Sequence, residues 1–168
     1  MMAEWPEEKR QMASYDWNWQ TGPELDARDL YALLSLRVAV FVVEQQCPYQ
    51  ELDGQDLLAS THHLHVLAND RLVATLRLLA SNEQEEPVAI GRVVIHPEHR
   101  GSGLGHDLLR AALTRIEAVW PGRDTRLSAQ AHLQNYYGRH GFEPMGDVYL
   151  EDAIPHIDMR RSNDYRGQ

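Results

Sequence analysis

The stretch Val93-Val94-Ile95-His96-Pro97-Glu98-His99-Arg100-Gly101-Ser102-Gly103-Leu104-Gly105 decides how the rest of the chain is interpreted. Its apolar, β-branched start predicts a strand, and a tight turn then leads into a segment with helical periodicity. Glycines let a backbone approach a ligand closely, and the first amides of a helix lack partners and attract anions. Arg100 adds a positive charge to the turn. The stretch therefore predicts an anion site, for which a pyrophosphate is a good match.

Two other kinds of glycine-rich site fit this stretch less well. A dinucleotide-binding loop requires an acidic residue about 20 residues after the glycines. Glu117 and Asp124 lie near that distance, but Glu117 falls inside the predicted helix and Asp124 precedes the next strand. A P-loop requires a lysine followed by serine or threonine, and this stretch contains no lysine. Taken alone, Gly101-Ser102-Gly103 can equally be a flexible turn. Other parts of the sequence must therefore show whether it is a binding site.

Apolar periodicity on either side of the stretch predicts an α+β, or mixed α/β, domain built on one sheet. Asp26 can cap a helix that starts at Ala27, and Asn69-Asp70 can form the turn of a hairpin. The predicted strands cover residues 15–19, 62–67, 72–79, 88–95, 126–130, 148–150 and 154–159. Besides the helix from Ala27, helices are predicted over residues 103–120 and 132–140, the last ending at Gly141.

The composition suits a single domain. The chain has 168 residues, 43% of them hydrophobic, which is enough for one core without disulfides or metal. We expect a loose tail over residues 1–13 and one domain over residues 14–168. The net charge of -9 disfavours nucleic acid as a partner, because binding phosphates requires clustered lysine and arginine. The same charge mildly favours cationic ligands such as amines.

The sequence also carries no sign of a membrane segment or a secretory leader. Its apolar runs are shorter than the roughly 20 residues of a membrane helix. The first dozen residues are polar and acidic, which is unlike a secretory signal. Cys47 is the single cysteine, so an intrachain disulfide cannot form. These features predict a cytoplasmic protein that acts without a membrane.

Two motifs resemble those of the GNAT acyltransferase superfamily. Arg-x-x-Gly-x-Gly, here residues 100–105, is similar to its acetyl-CoA signature. Residues 129–142 contain Tyr136-Tyr137 followed by Gly141-Phe142, which resembles its second motif. The resemblance implies the GNAT acyl-CoA N-acyltransferase fold, a single, mostly antiparallel central sheet flanked by helices. It also implies acetyl-CoA as cosubstrate.

The resemblance assigns roles along the chain. The main chain of the strand would hold the pantetheine arm, the amides of the glycine loop would bind the pyrophosphate, and Asn135 would help to orient CoA. The implied cofactor-binding residues are Val93, Val94, Ile95, Arg100, Gly101, Ser102, Gly103, Leu104, Gly105, Asn135 and Tyr137.

Two further stretches resemble one branch of the superfamily, the ElaA group. They are residues 36–56, which contain Phe-Val-Val-Glu-Gln, and residues 151–159, which contain Ile-Pro-His-Ile. The similarity extends from about Trp17 to Met159. Ala153 departs from it, since glycine is expected there. The resemblance suggests a homodimer and supplies a fold and an acyl donor, but no acceptor.

Tyr137 is the predicted general acid. The resemblance gives it the task of donating a proton to the departing CoA thiolate. A thiolate with a pKa of about 8.5 leaves more easily when a hydroxyl donates to it, and tyrosine, with a pKa of about 10, is protonated at neutral pH. Packing of the helix against the sheet is the alternative role, which we favour for Tyr136.

The general base has several candidates. A lysine-like amine, with a pKa of about 10.4, must lose a proton before it attacks. Glu44 is the first candidate because a carboxylate at the end of an apolar helix face is hard to place in a core; the alternative is that it anchors Arg37 or backbone amides. His132 and His156 titrate in the right range and are the other candidates. A relay through water remains open as well.

Three further features are weaker candidates for a functional site. In a strand His63 and His65 face one side and His62 the other, so no three-ligand cluster results and no metal is predicted. The Cys47 thiol is expected to be packed rather than nucleophilic. Asp53 and Asp56 can attract a cationic acceptor or cap local turns, and we favour turn capping.

The sequence thus predicts an N-acetyltransferase that transfers acetyl from acetyl-CoA to an amine by direct attack in a ternary complex. The acceptor is expected to be a small-molecule or peptide amine. A CoA-binding sensor without turnover, or transfer of another acyl group, is the alternative.

Overall fold

The computed structural model describes residues 14–165, so the predicted tail over residues 1–13 lies outside the described residues. The described residues form eight strands: β1 (Tyr15–Thr21), β2 (Thr61–Ala68), β3 (Arg71–Leu79), β4 (Val88–Ile95), β5 (Thr125–Gln130), β6 (Glu143–Pro144), β7 (Tyr149–Glu151) and β8 (Ile154–Arg161). The α-helices are α1 (Ala27–Arg37), α2 (Leu104–Val119) and α3 (Gln134–Gly138). A π-helical segment, Val38–Glu44, continues α1, and short 3-10 turns cover Gly22–Glu24, Pro97–His99 and Ala131–Leu133.

The strands form a mixed sheet, which confirms the predicted fold class. The described residues divide into two compact units, the first made of residues 14–77 and 92–108 and the second of residues 78–91 and 109–165. In the first unit the hydrogen-bonded order is β1-β2-β3-β4; in the second it is β3-β4-β5-β8-β6, with β7 on β8. β4 and β5 pair in parallel, whereas β8 is antiparallel to β5, β6 and β7.

The predicted start of α1 and the predicted hairpin turn are confirmed. The Asp26 carboxylate accepts hydrogen bonds from the amides of Arg28 and Asp29, each 2.8 Å long, and so caps the helix. Asn69 and Asp70 join β2 to β3 with φ of 49° and 60°. Two successive left-handed residues make the turn that matches the twist of a hairpin.

Three details differ from the sequence predictions. After Arg37 the helix continues with bonds five residues apart, from the Gln45 amide to the Val40 carbonyl and from the Cys47 amide to the Val42 carbonyl. The predicted helix over residues 132–140 is shorter and begins as a 3-10 turn. β6, with two residues, was not predicted, because so short a strand has no periodicity to detect.

Each unit has an apolar core. In the first unit Leu36, Val40 and Val94 form a buried cluster, against which Phe41 and Leu72 pack. In the second unit, one face of β5 and β8 is buried and the other is polar. Its buried residues are Leu127, Ala129, Ile157 and Met159. Within residues 14–165, every helix is too short or too polar to cross a membrane.

β2 carries three buried histidines, of which His63 and His65 are the most deeply buried. His63 is 0% exposed and His65 4% exposed, and their rings lie 6.5 Å apart. His63 Nε2 lies 2.8 Å from the Asp56 carbonyl oxygen, whereas His65 Nε2 has no partner among the described residues. Burial lowers the pKa of both, that of His65 from 6.5 to about 4. Both are therefore neutral in the folded chain at neutral pH.

We expect the free energy of unfolding to fall as the pH drops from 6.5 towards about 4. The pKa of His65 is lower in the folded chain than in the unfolded chain, so the unfolded chain binds more protons in this window. The slope should approach about 1.4 kcal/mol per pH unit for one histidine. Urea unfolding at several pH values measures it.

His65→Gln should flatten this slope, whatever its effect on stability at neutral pH. His132→Gln is the control, because it removes a histidine that is exposed in the folded chain. An unchanged slope in the His65 variant would contradict the assignment.

Candidate active site

The glycine loop connects β4 to α2, as predicted, and its backbone is open on one side. Gly101 and Gly103 have φ of 74° and 88°, which L-residues other than glycine rarely adopt. A Cβ placed at either position would meet no atom within 4 Å. Conformation therefore requires glycine at both positions, and the space beside them is free for a ligand.

The start of α2 offers hydrogen-bond donors to that space. The Gly103 carbonyl accepts from the amides of His106 and Asp107, at 3.1 and 3.3 Å, which marks the first turn. No backbone carbonyl of residues 14–165 accepts from the amides of Gly101, Gly103, Leu104 or Gly105. With the helix dipole, these amides make a site for an anion, as the sequence predicted.

The loop is held in place by contacts on its other side. The His96 amide donates to the Val73 carbonyl at 2.7 Å, and the Tyr15 hydroxyl lies 3.0 Å from His99 Nδ1. The Ser102 hydroxyl donates to the His99 carbonyl at 2.9 Å. The Ser102 side chain therefore braces the loop, and an anion would be bound by backbone amides.

Arg100 and Glu44 form an ion pair. The two terminal nitrogens of the guanidinium lie 2.7 and 3.1 Å from the two carboxylate oxygens. The alternative prediction that Glu44 anchors Arg37 is wrong, since its partner is Arg100. The hydrogen bond from Arg100 lowers the pKa of Glu44, which makes that carboxylate a weaker base.

The side chains of the strand before the loop alternate between buried and half-buried. Val94 is 3% exposed and packs into the core, whereas Val93 and Ile95 are half-buried. Arg92 interrupts the regular strand with a φ of 52°.

The loop after the π-helical segment holds an arginine–carboxylate cluster. Its members are Arg37, Glu51, Asp53, Asp56, Arg77 and Arg92. Asp56 bridges Arg37 at 2.7 Å and Arg77 at 2.9 Å. Both arginines are buried, and Arg37 is 0% exposed. The charges of three arginines and three carboxylates cancel.

The cluster changes the interpretation of the two aspartates. Asp53 accepts from the Gln55 amide at 3.1 Å, which confirms a turn-capping role, but it also pairs with Arg77 at 2.6 Å. Burial opposes ionisation of both aspartates, yet the arginines outweigh it and lower the pKa of each. These carboxylates are already compensated, so they are poorly suited to attracting a cationic acceptor. Sequence reasoning missed the arginines because they lie 14 to 41 residues from Glu51.

Asp56→Asn should destabilise the protein by about 3–5 kcal/mol, because it leaves two buried arginines short of a carboxylate. Asp16→Asn is the matched control, since Asp16 is an exposed carboxylate on β1 and its loss should cost less than about 0.5 kcal/mol. Chemical denaturation measures both. A loss below about 1 kcal/mol in the Asp56 variant would mean that the cluster is not a stabilising element.

Tyr137 lies on α3 and is 8% exposed. Its ring makes edge contacts with Phe142 at 6.1 Å and with Tyr136 at 4.9 Å. Burial raises the pKa of the hydroxyl to about 12, which keeps it protonated at neutral pH. The residue therefore packs the helix and also carries a proton that it can donate. Asn135, on the same helix, is exposed.

His156 lies on β8, on the polar face of the second unit. Its Nδ1 lies 2.8 Å from the Ile154 carbonyl oxygen, an acceptor, so Nδ1 carries the proton. Its Nε2 is 3.6 Å from a Glu151 carboxylate oxygen, and its ring stacks on Tyr149 at 6.2 Å. His132, in contrast, is exposed in a 3-10 turn.

A hydrogen-bond network missed by the sequence analysis lies beside His156. The Tyr149 hydroxyl is 2.5 Å from the Ser128 hydroxyl and donates to the Asp158 carboxylate at 2.7 Å. The signal was the alternation of polar residues along β5 and β8, where Ser128 lies opposite Asp158 and Gln130 opposite His156. Within residues 14–165, no three His, Cys, Asp or Glu side chains converge as metal ligands.

The fold and the strand–loop–helix element define the class of the protein. The Acetyltransferase (GNAT) domain family matches residues 30–163, and the chain belongs to this family. Protein ElaA from Escherichia coli K12 is 48% identical over 146 residues, which are 87% of this chain and 95% of that protein.

Solved structures agree. A crystal structure described as an acyl-CoA N-acyltransferase from Pseudomonas aeruginosa is 54% identical with a TM-score of 0.85, covering 89% of this chain and 100% of that one. The crystal structure of Escherichia coli ElaA is 46% identical with a TM-score of 0.85 at the same coverage. The predicted placement in the ElaA-like GNAT group is confirmed. The family is one of acyltransferases, and its fold implies an acyl-CoA cosubstrate.

Proposed function

We propose that the protein is an N-acetyltransferase that transfers the acetyl group of acetyl-CoA to a small-molecule or peptide amine. The observation that carries the proposal is the open, left-handed glycine loop with unpaired amides at the start of α2. Such a loop suits the pyrophosphate of CoA. We further propose that residues 14–168 act as one catalytic domain, which agrees with a family match over residues 30–163.

In the proposed reaction the amine nitrogen attacks the thioester carbon directly in a ternary complex. The carbon–sulfur bond breaks as the tetrahedral intermediate collapses, and CoA leaves as a thiolate. Tyr137 donates its hydroxyl proton to the sulfur. Burial raises the pKa of this hydroxyl to about 12, so the hydroxyl is protonated at neutral pH and can donate a hydrogen bond to the sulfur, while the same shift makes it a weaker acid than free tyrosine.

His156 is the base that we propose among the three candidates. With the proton on Nδ1, its Nε2 lone pair is available to take a proton from the amine. Glu151 lies where it can stabilise the imidazolium that forms. Glu44 is paired with Arg100, and exposed His132 has no comparable partner among residues 14–165 to fix its tautomer. Both are therefore less suited to the role of base.

Tyr137→Phe should lower kcat about 100-fold or more while CoA binding stays within about twofold, because the ring is kept and only the proton donor is lost. Tyr136→Phe is the matched control on the same helix and should retain activity. Thiol release from acetyl-CoA over a panel of amines measures turnover, and calorimetry measures binding. Equal turnover in the Tyr137 variant and the wild type would contradict its role as the acid.

The same assay tests the proposed function itself. Tight binding of acetyl-CoA with no thiol release for any amine would support a CoA sensor instead. Faster release from a longer acyl-CoA would support transfer of another acyl group.

His156→Gln should abolish the acidic limb in the pH profile of kcat/KM, because protonation of the base no longer limits the rate. His132→Gln and Glu44→Gln should retain that limb. Its retention in all three variants would argue that water alone removes the proton.

A further inference from the structure

Arg100 joins three segments of the first unit through its guanidinium. Its Nε donates to the carbonyl of Ile95, the last residue of β4, at 3.0 Å. Its two terminal nitrogens lie 2.7 and 3.1 Å from the carboxylate of Glu44, the last residue of the π-helical segment. Arg100 is itself the residue before Gly101, where the left-handed backbone of the loop begins.

This arrangement uses all three guanidinium nitrogens. A two-pronged contact with a carboxylate fixes the plane of the guanidinium as well as its position. The hydrogen bond from Nε to the Ile95 carbonyl holds the remaining nitrogen of the guanidinium. Arg100 thus connects Glu44 to the glycine loop through three of its five N–H groups, and a phosphate that approached this side chain would meet the negative charge of the Glu44 carboxylate.

We infer that Glu44 is a positioning residue for acyl-CoA, which acts by holding Arg100 and, through it, the entry of the glycine loop. The inference rests on the proposed function, in that the loop is taken to bind the pyrophosphate of acyl-CoA. It replaces two simpler roles: Glu44 is not the base, and the Arg100 side chain is not a phosphate ligand.

If charge alone mattered, removing Glu44 would change the affinity for CoA in the direction opposite to the one that we infer, so a binding measurement distinguishes the two. Glu44 is a negative charge paired with the arginine beside an anion site. Removing it should strengthen the binding of anionic CoA if charge alone matters, or if Arg100 is freed to bind phosphate. Removing it should weaken binding if the carboxylate holds the loop in its binding conformation.

The test is calorimetric titration of the full chain with CoA, for the wild type, Glu44→Gln, Arg100→Gln and the double variant. We expect CoA to bind about fivefold more weakly to Glu44→Gln, as for the loss of one exposed, two-pronged ion pair. Arg100→Gln should weaken binding at least as much. In the Arg100→Gln background, Glu44→Gln should have no further effect, because Glu44 acts through Arg100.

Glu98→Gln is the matched control. Glu98 lies in the same loop, its side chain is 75% exposed, and its ion-pair partner is His96, at 3.8 Å, rather than Arg100. It removes the same charge and should leave CoA affinity unchanged or slightly stronger. At saturating acetyl-CoA, kcat of Glu44→Gln should equal that of the wild type, which a lost base would not allow.

Unchanged or tighter CoA binding by Glu44→Gln would overturn the inference, and so would additive effects of the two substitutions. A fall in kcat at saturation would return Glu44 to the role of base. If the wild type itself does not bind CoA, the proposed function fails instead, and the comparison of variants shows which of the two has failed.

Discussion

The buried guanidinium of Arg37 is the constraint on which the first unit depends. An arginine cannot lose its charge in a protein, and an unpaired charge in the interior is very costly. The carboxylates of Glu51 and Asp56 must therefore come to it, from a loop with little regular structure. Because Arg77 of β3 and Arg92 of β4 share these carboxylates, the loop is tied to two strands as well.

The arginine–carboxylate cluster also positions the ends of the helix and the strand that lead to the candidate active site. Arg37 is the last residue of α1, and the π-helical segment that follows it ends at Glu44. Arg92 lies three residues before Ile95, the end of β4. The cluster therefore fixes the two segments whose ends Arg100 connects. The buried charges position these segments, and the exposed pair at Glu44 depends on that geometry.

Local features were well predicted from the sequence. The Asp26 cap, the Asn69-Asp70 turn and the glycine loop each depend on residues that are neighbours in the sequence. The conformational preferences of those residues are enough to predict the local structure. Family resemblance extended this to the whole fold. The site residues Tyr137 and His156 were also named from the sequence, and their roles are proposals that the structure supports with burial and hydrogen bonding.

Long-range pairs and irregular geometry were not predictable. The partner of Glu44 is 56 residues away, and a carboxylate carries no sign of which arginine it will meet. The Tyr149 network depends on the register of β8 against two other strands. The π-helical segment was not predictable either, since Val, Ala and Phe fit an α-helix as well. Packing determines which backbone hydrogen bonds form there.

Because of the π-helical segment, the position of Glu44 depends on the number of residues in Val38–Glu44 as well as on their identity. An α-helix turns by about 100° per residue, so deleting one residue here, with return to regular α-helical bonding, would rotate the end of the segment by roughly that angle. Glu44 would then leave Arg100 although every side chain remained the same. Among related sequences, substitutions between apolar residues in Val38–Glu44 should be common, whereas gaps should be rare and should coincide with loss of the carboxylate or of its arginine.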